Sequence, residues 1–224
     1  MDRRSGHPRL TTPRRLAAAA TARGRHLACA LAFVVALATP GVAPAQDTDW
    51  VEPPASVPKA PRGDPTRNLD MLFGALKAAP DDTTAKAVEN RIWAVWLASD
   101  SDTVNLLMAR TKAALDKDDH ALALRLLDAI VEIRPQYVEG WNRRATVAFL
   151  RKDYAGALAD LRQVLRREPR HFGALAGLGT IMQEIGDETN ALAAFRKALD
   201  INPRLKGMAD KVRILTDKVE GRPI

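Results

Sequence analysis

The sequence predicts an all-α fold, an antiparallel helix-pair solenoid, on three observations. Pro135, Pro169 and Pro203 recur at intervals of 34 residues in a chain that otherwise reads as helix. Between them, large and small apolar residues return in the same columns. An aspartate, Asp119, Asp153 or Asp187, stands at the same place in each interval, ahead of its second helical stretch. A fixed period of this length is the mark of stacked repeats, each burying its apolar face against the next.

The first element is a leader. Residues 1–45 hold Arg3, Arg4, Arg9, Arg14, Arg15, Arg23 and Arg25 against one acid, Asp2. The apolar run "LACALAFVVALA" (27–38), a breaker at Pro40-Gly41 and the small-residue site Ala43-Pro44-Ala45 follow. That order is expected of a secretory signal peptide cleaved before Gln46. A helix of ~12 residues would span about 18 Å, short of a bilayer core of ~30 Å. Arg14-Arg15 is a weak twin-arginine signal and Cys29 a weak lipidation site, so general export to the periplasm as a soluble protein is the expectation.

Removing the leader changes the charge argument. The whole chain has 34 basic and 27 acidic residues, a net charge of +7. Less seven arginines and one aspartate, 27 basic and 26 acidic residues remain, a net charge of +1. A basic surface for nucleic acid or anionic membrane therefore loses its support. The single cysteine leaves with the leader. The exported chain would have neither disulfide nor thiol chemistry, and packing must supply its stability.

Residues 46–65 carry five prolines, read as a disordered tether with Trp50 as its one large apolar residue. Residues 66–103 read as an N-terminal helical pair turning at Pro80-Asp81-Asp82, or as a degenerate repeat, with Trp93 and Trp96 in the pair's own core. Three repeats follow, at 104–137, 138–171 and 172–205. Large residues at their fourth and twenty-fourth columns (Leu107, Trp141, Leu175; Leu127, Leu161, Phe195) face small ones at the eighth and twentieth (Thr111, Ala145, Gly179; Ala123, Ala157, Ala191), knob against hole. The aspartates suit N-caps, and the prolines end each second helix. In residues 206–224, Met208, Val212, Leu215 and Val219, with Leu205 just ahead, give an apolar seam expected of a capping helix, or of a dimer contact.

These columns resemble the tetratricopeptide repeat (TPR) family. The third row matches most fully, through Leu175, Leu178, Gly179, Ala191, Phe195, Ala198 and Pro203. The first departs most, with Arg110 and Ile130 in columns the pattern gives to Leu and Ala. The resemblance covers 104–203 and implies a fold much more than a partner. With the leader, it suggests an exported bacterial TPR-containing protein.

Chemistry is sparse, and the chain is expected to be non-catalytic, with no cofactor and no metal. His120 and His171 lie far apart with no partner at metal-ligand spacing. "GLGTIMQEIG" (177–186) lacks the third glycine of a phosphate loop and a preceding strand. "DSD" (100–102) and "DKDD" (116–119) lack the glycine and distal glutamate of a calcium loop.

What the resemblance implies instead is a concave face of first helices that binds a peptide or protein segment. Its columns give Asn105, Met108, Lys112 and Leu115; then Glu139, Asn142, Thr146 and Phe149, with Arg143 beside them; then Gly173, Ala176, Thr180 and Gln183. Met108, Leu115 and Phe149 are candidate apolar anchors, and Asn142 with Arg143 a remnant of a carboxylate clamp. The third row is small, leaving room for a side chain or helix, whether a partner's or the chain's own. The expected function is an interaction scaffold or adaptor of the cell envelope, holding another envelope protein. The alternative is a self-associating structural protein, a homodimer through the C-terminal seam.

Overall fold

The computed structural model describes residues 50–54 and 68–221. The predicted leader and most of the predicted tether lie outside the described residues. Among the described residues nine α-helices and no strand occur: α1 (Leu69–Lys77), α2 (Asp82–Leu97), α3 (Asp102–Leu115), α4 (His120–Ile133), α5 (Val138–Leu150), α6 (Tyr154–Arg167), α7 (Phe172–Glu184), α8 (Glu188–Ile201) and α9 (Met208–Val219). The antiparallel helix-pair solenoid is α3–α4, α5–α6 and α7–α8, with α9 stacked on α8.

Each repeat turns twice, and sequence sets both turns. Inside a repeat, Asp118, Lys152 and Gly186 take positive φ (55°, 61° and 83°), breaking the first helix. The next residue caps the second helix: the carboxylates of Asp119, Asp153 and Asp187 accept the backbone N–H of Leu122, Gly156 and Asn190 at 2.9, 2.9 and 3.1 Å. Between repeats, Pro135, Pro169 and Pro203 follow helices ending two residues earlier. The backbone closes there through Tyr137 to Arg134, His171 to Glu168 and Leu205 to Asn202, at 2.9, 3.1 and 3.1 Å.

The knobs meet their holes. Ala123, Ala157 and Ala191 are fully buried, as are Leu127 and Phe195. A Cβ at Gly179 would stand 2.4 Å from Phe195, so the glycine is what lets α7 and α8 approach. Arg144 ties three helices together, with a two-nitrogen grip on Asp160 of α6 at 2.7 and 2.8 Å and a third bond to Asp128 of α4 at 2.9 Å. At the C-terminus, Leu205, Met208 and Leu215 are buried against the third repeat, with Val212 and Val219 packed beside them. The seam is therefore mostly spent inside the chain. Its Met208 and Leu215 are not available to a second copy, while Val212 and Val219 are half-buried and Ile214 is exposed.

The N-terminal helical pair packs on the third repeat. It shares a core with the third repeat: Leu72, Phe73, Leu76, Ile92, Trp93 and Trp96 cluster with Phe172, Leu175, Leu192, Phe195 and Leu205. Helix α2 runs across three successive inter-repeat turns. Tyr137 Oη donates to the Leu97 carbonyl at 3.1 Å, Trp93 and Trp96 meet His171, and Asn202 Nδ2 donates to Glu89 at 2.9 Å. At its far end Arg204 holds Asp82 at 2.6 Å and the Pro80 carbonyl at 2.8 Å. At ~1.5 Å per residue, Leu97 to Asp82 is about 22 Å of helix, enough to cross those turns. Arg170, 34 residues before Arg204, likewise holds Asp70 of α1 at 2.6 Å and lies over the Phe73 ring. Cations in one repeat column thus meet acids of the folded-back pair.

Candidate functional site

The face formed by the first helices is covered over its second and third repeats. On α5, Glu139, Asn142 and Thr146 are buried; on α7, Gly173, Ala176 and Thr180 are buried. Arg143 and Phe149 are half-buried. Among the described residues, repeat one keeps an accessible row, with Asn105, Met108 and Leu115 half-buried and Lys112 exposed, and Gln183 at the end of α7 is exposed. Lys112 pairs with Asp116 of its own helix at 2.8 Å, and Asn105 accepts the Ser99 hydroxyl at 2.7 Å. The expected contact residues therefore do not form one open groove.

Two pieces of the same chain cover them. The first is aromatic. Trp96 stacks on His171 with centroids 4.0 Å apart and planes 12° apart, and Trp93 sets its edge or face against Trp96, His171 and Phe172 at 5.2–5.5 Å. A Cβ at Gly173 would stand 2.9 Å from the Trp93 ring. The smallness of the third row makes room for the chain's own tryptophans. Trp93 and Trp96 serve a core shared with the repeats, wider than the pair's own.

Beneath that stack sits a buried polar cluster. His171 Nδ1 accepts the Ala174 N–H at 3.0 Å, capping α7, which leaves the donor role to Nε2. Nε2 then donates to Glu139 at 2.7 Å, and Asn142 Nδ2 donates to the same carboxylate at 3.3 Å. Burial opposes the charge of Glu139. The hydrogen bond from His171 and the field of its ring, with the field of Arg143 and the Asn142 amide, outweigh it and hold the carboxyl below its usual range. Thr146 returns its hydroxyl to the Asn142 carbonyl at 3.0 Å. These groups are committed to one another, although Asn142 Oδ1 is buried without a hydrogen-bond partner.

The second piece is Trp50-Val51-Glu52-Pro53-Pro54. Trp50 and Pro53 are buried. The indole packs with Ala145, Ala148, Ala174 and Ile181, and its centroid lies 5.4 Å from that of Phe149. A Cβ at Gly177 would stand 2.7 Å from the Trp50 ring, so a glycine in mid-helix gives the indole its seat. Glu52 completes the contact through Arg143 Nη1 at 3.1 Å. Arg143 does grip a carboxylate, and the carboxylate belongs to its own chain. Sequence reasoning gave no role to Glu52 or Gly177, read Trp50 as part of a tether and weighed His171 only as a metal ligand. The one large apolar residue in a proline-rich run, read with the small third row, was the signal available.

An all-α stack of helix pairs with an inner face that holds an extended segment defines a helical-repeat interaction protein. The comparisons give the family. The profile of the tetratricopeptide repeat matches residues 172–205, the row with the fullest set of columns. A TPR repeat-containing protein of Rhizobium etli is 38% identical over 157 residues, covering 70% of this chain and 77% of that protein. The chain belongs to the tetratricopeptide repeat family, whose folds are protein–protein interaction modules. Among solved structures, the crystal structure of MamA is similar at TM-score 0.50 and 17% identity over 70% of this chain and 84% of that one. The first TPR of Spaghetti (RPAP3), bound to an HSP90 peptide, is similar at TM-score 0.51 and 14% identity over 54% of this chain and 95% of that one. Both likenesses are of fold.

Proposed function

We propose that this protein is a non-catalytic adaptor of the bacterial cell envelope, exported to the periplasm and freed by cleavage before Gln46, which holds an extended segment of another envelope protein on its inner face. One observation carries the reading. The inner face of α5 and α7 already holds an extended segment, through an aromatic seat at Phe149 and Gly177 and a cation at Arg143. A surface that orders five residues of peptide in this way has the parts such recognition needs, an apolar anchor site and a charge that fixes direction. The accessible row of repeat one, with Asn105, Met108 and Lys112, extends the same face. The export reading is supported by the arginine-rich start, the short apolar run and the Ala-Pro-Ala site. The alternative, a homodimer through the C-terminal seam, has less support, because Met208 and Leu215 are buried against the third repeat.

The test is a crosslinked pull-down from the periplasmic fraction, with N-terminal sequencing of the bait. A bait beginning at Gln46 and a dominant partner, lost on Phe149→Ala with Arg143→Glu in a still-helical protein, is the expected result. A bait that stays in the cytoplasm overturns the export reading. A partner retained by the double variant overturns the inner-face assignment.

A further inference from the structure

The occupant of the α5–α7 groove describes what the groove selects. Trp50 fills the seat left by Gly177, Glu52 reaches Arg143 two residues on, and the buried Pro53 keeps the segment extended. Two details make this occupant replaceable. Trp50 Nε1 is buried with no hydrogen-bond partner, and a buried donor without an acceptor weakens the contact that buries it. Arg143 reaches Glu52 through Nη1 while its Nε is buried without a partner, so the guanidinium makes only part of the grip it is capable of.

We propose that the α5–α7 groove recognises a protein segment bearing an aromatic residue followed two positions later by a carboxylate, and that Trp50–Pro54 is the stand-in that keeps the site filled until such a segment displaces it. This rests on the adaptor reading above and adds the partner's chemistry to it. A tethered occupant competes at an effective concentration far above that of a free ligand, so the resting chain binds weakly in trans.

The purified full chain and a fluorescein-labelled peptide with the sequence Asp47–Pro54, followed by anisotropy, test this. Trp50→Ala is expected to bind the peptide at least tenfold more tightly than the wild type, because its own segment no longer competes. Adding Gly177→Ala is expected to abolish that binding without lowering Tm, since alanine favours the helix while its Cβ occupies the indole's seat. Adding Arg143→Glu to Trp50→Ala is expected to weaken binding at least tenfold, and a peptide carrying Glu52→Arg to recover it. Should Trp50→Ala fail to fold, Glu52→Arg in the chain, at an exposed position, loosens the occupant by charge alone and serves in its place.

Equal binding to wild type and Trp50→Ala overturns the proposal, as does binding that survives Gly177→Ala. A concentration-dependent wild-type dimer that Trp50→Ala makes monomeric also overturns it, the occupant then being a second copy's segment. A peptide that binds no variant refutes the ligand chemistry and leaves partner capture, measured separately, standing.

Discussion

Helix α9 and the α1–α2 pair flank the same three repeats, and they end differently. Helix α9 continues the series, laying Met208 and Leu215 on the third repeat as the next first helix would. The α1–α2 pair leaves the series. It packs on the third repeat, far from its own place in the chain order, and crosses the turns at Tyr137, His171 and Asn202. The difference lies in the side chains. An aliphatic seam with charged flanks can only stack, whereas a helix carrying two tryptophans with Asp82 and Glu89 fits an inner face with glycines and same-column arginines. Position in sequence does not decide which surface a flanking helix covers.

The largest effect that would break the comparison is at Trp93. Trp93→Ala removes a fully buried ring from the shared core and is expected to cost about 3–5 kcal/mol in denaturant unfolding. Leu215→Ala should cost about 2–4 kcal/mol. Hydrogen exchange separates them: the first should release α1 and α2 while repeat one stays protected, and the second should release α9.

Next is the buried polar cluster. Glu139→Ala leaves His171 Nε2–H and the Asn142 amide without their acceptor, a loss of about 2–4 kcal/mol. The pH dependence has a definite sign. The carboxyls of Glu139, and of the caps Asp81 and Asp187, lie below their ordinary values when folded. Their contribution is therefore fully present above the unfolded carboxylate pKa, near 4, and is lost as pH falls through the folded values. Glu139→Gln should flatten the acid limb of a stability-against-pH curve and leave its neutral region parallel to the wild type's.

Smaller still are the paired arginines. Arg170→Ala and Arg204→Ala should each cost under about 1 kcal/mol, because Asp70 and Asp82 are exposed, and the cost should shrink in high salt. Smallest, and of opposite sign, is Lys152→Gly. Lys152 holds a left-handed conformation where the third repeat has Gly186, so glycine should add about 0.5–1 kcal/mol to stability by thermal melts.

The repeats were legible because their rules are local or nearly so. The caps at Asp119, Asp153 and Asp187, the turns at three prolines and the Gly179–Phe195 contact each follow from residues within one period. The candidate site was legible only as a face. Column arithmetic assigned Glu139, Asn142, Thr146, Ala176 and Thr180 to the inner surface, and that surface is buried. What covers it comes from residues 79–127 positions away in sequence, as in Trp93 over Phe172 and Trp50 over Gly177, and no periodicity reports such contacts. The small third row, with Gly173 and Ala176, was the trace they left.

The central claim is that α1–α2 folds back over the third repeat instead of capping the first. It is tested most directly by intramolecular crosslinking with a short bismaleimide in a Cys29→Ser background, free of native cysteine. A cysteine pair replacing Asp82 and Arg204, ion-paired at 2.6 Å, is predicted to link within one chain at low protein concentration, while a pair replacing Asp82 and Arg110 of α3 stays unlinked. Linking of 82 to 110 with none to 204 would put the helical pair on the first repeat and contradict the account.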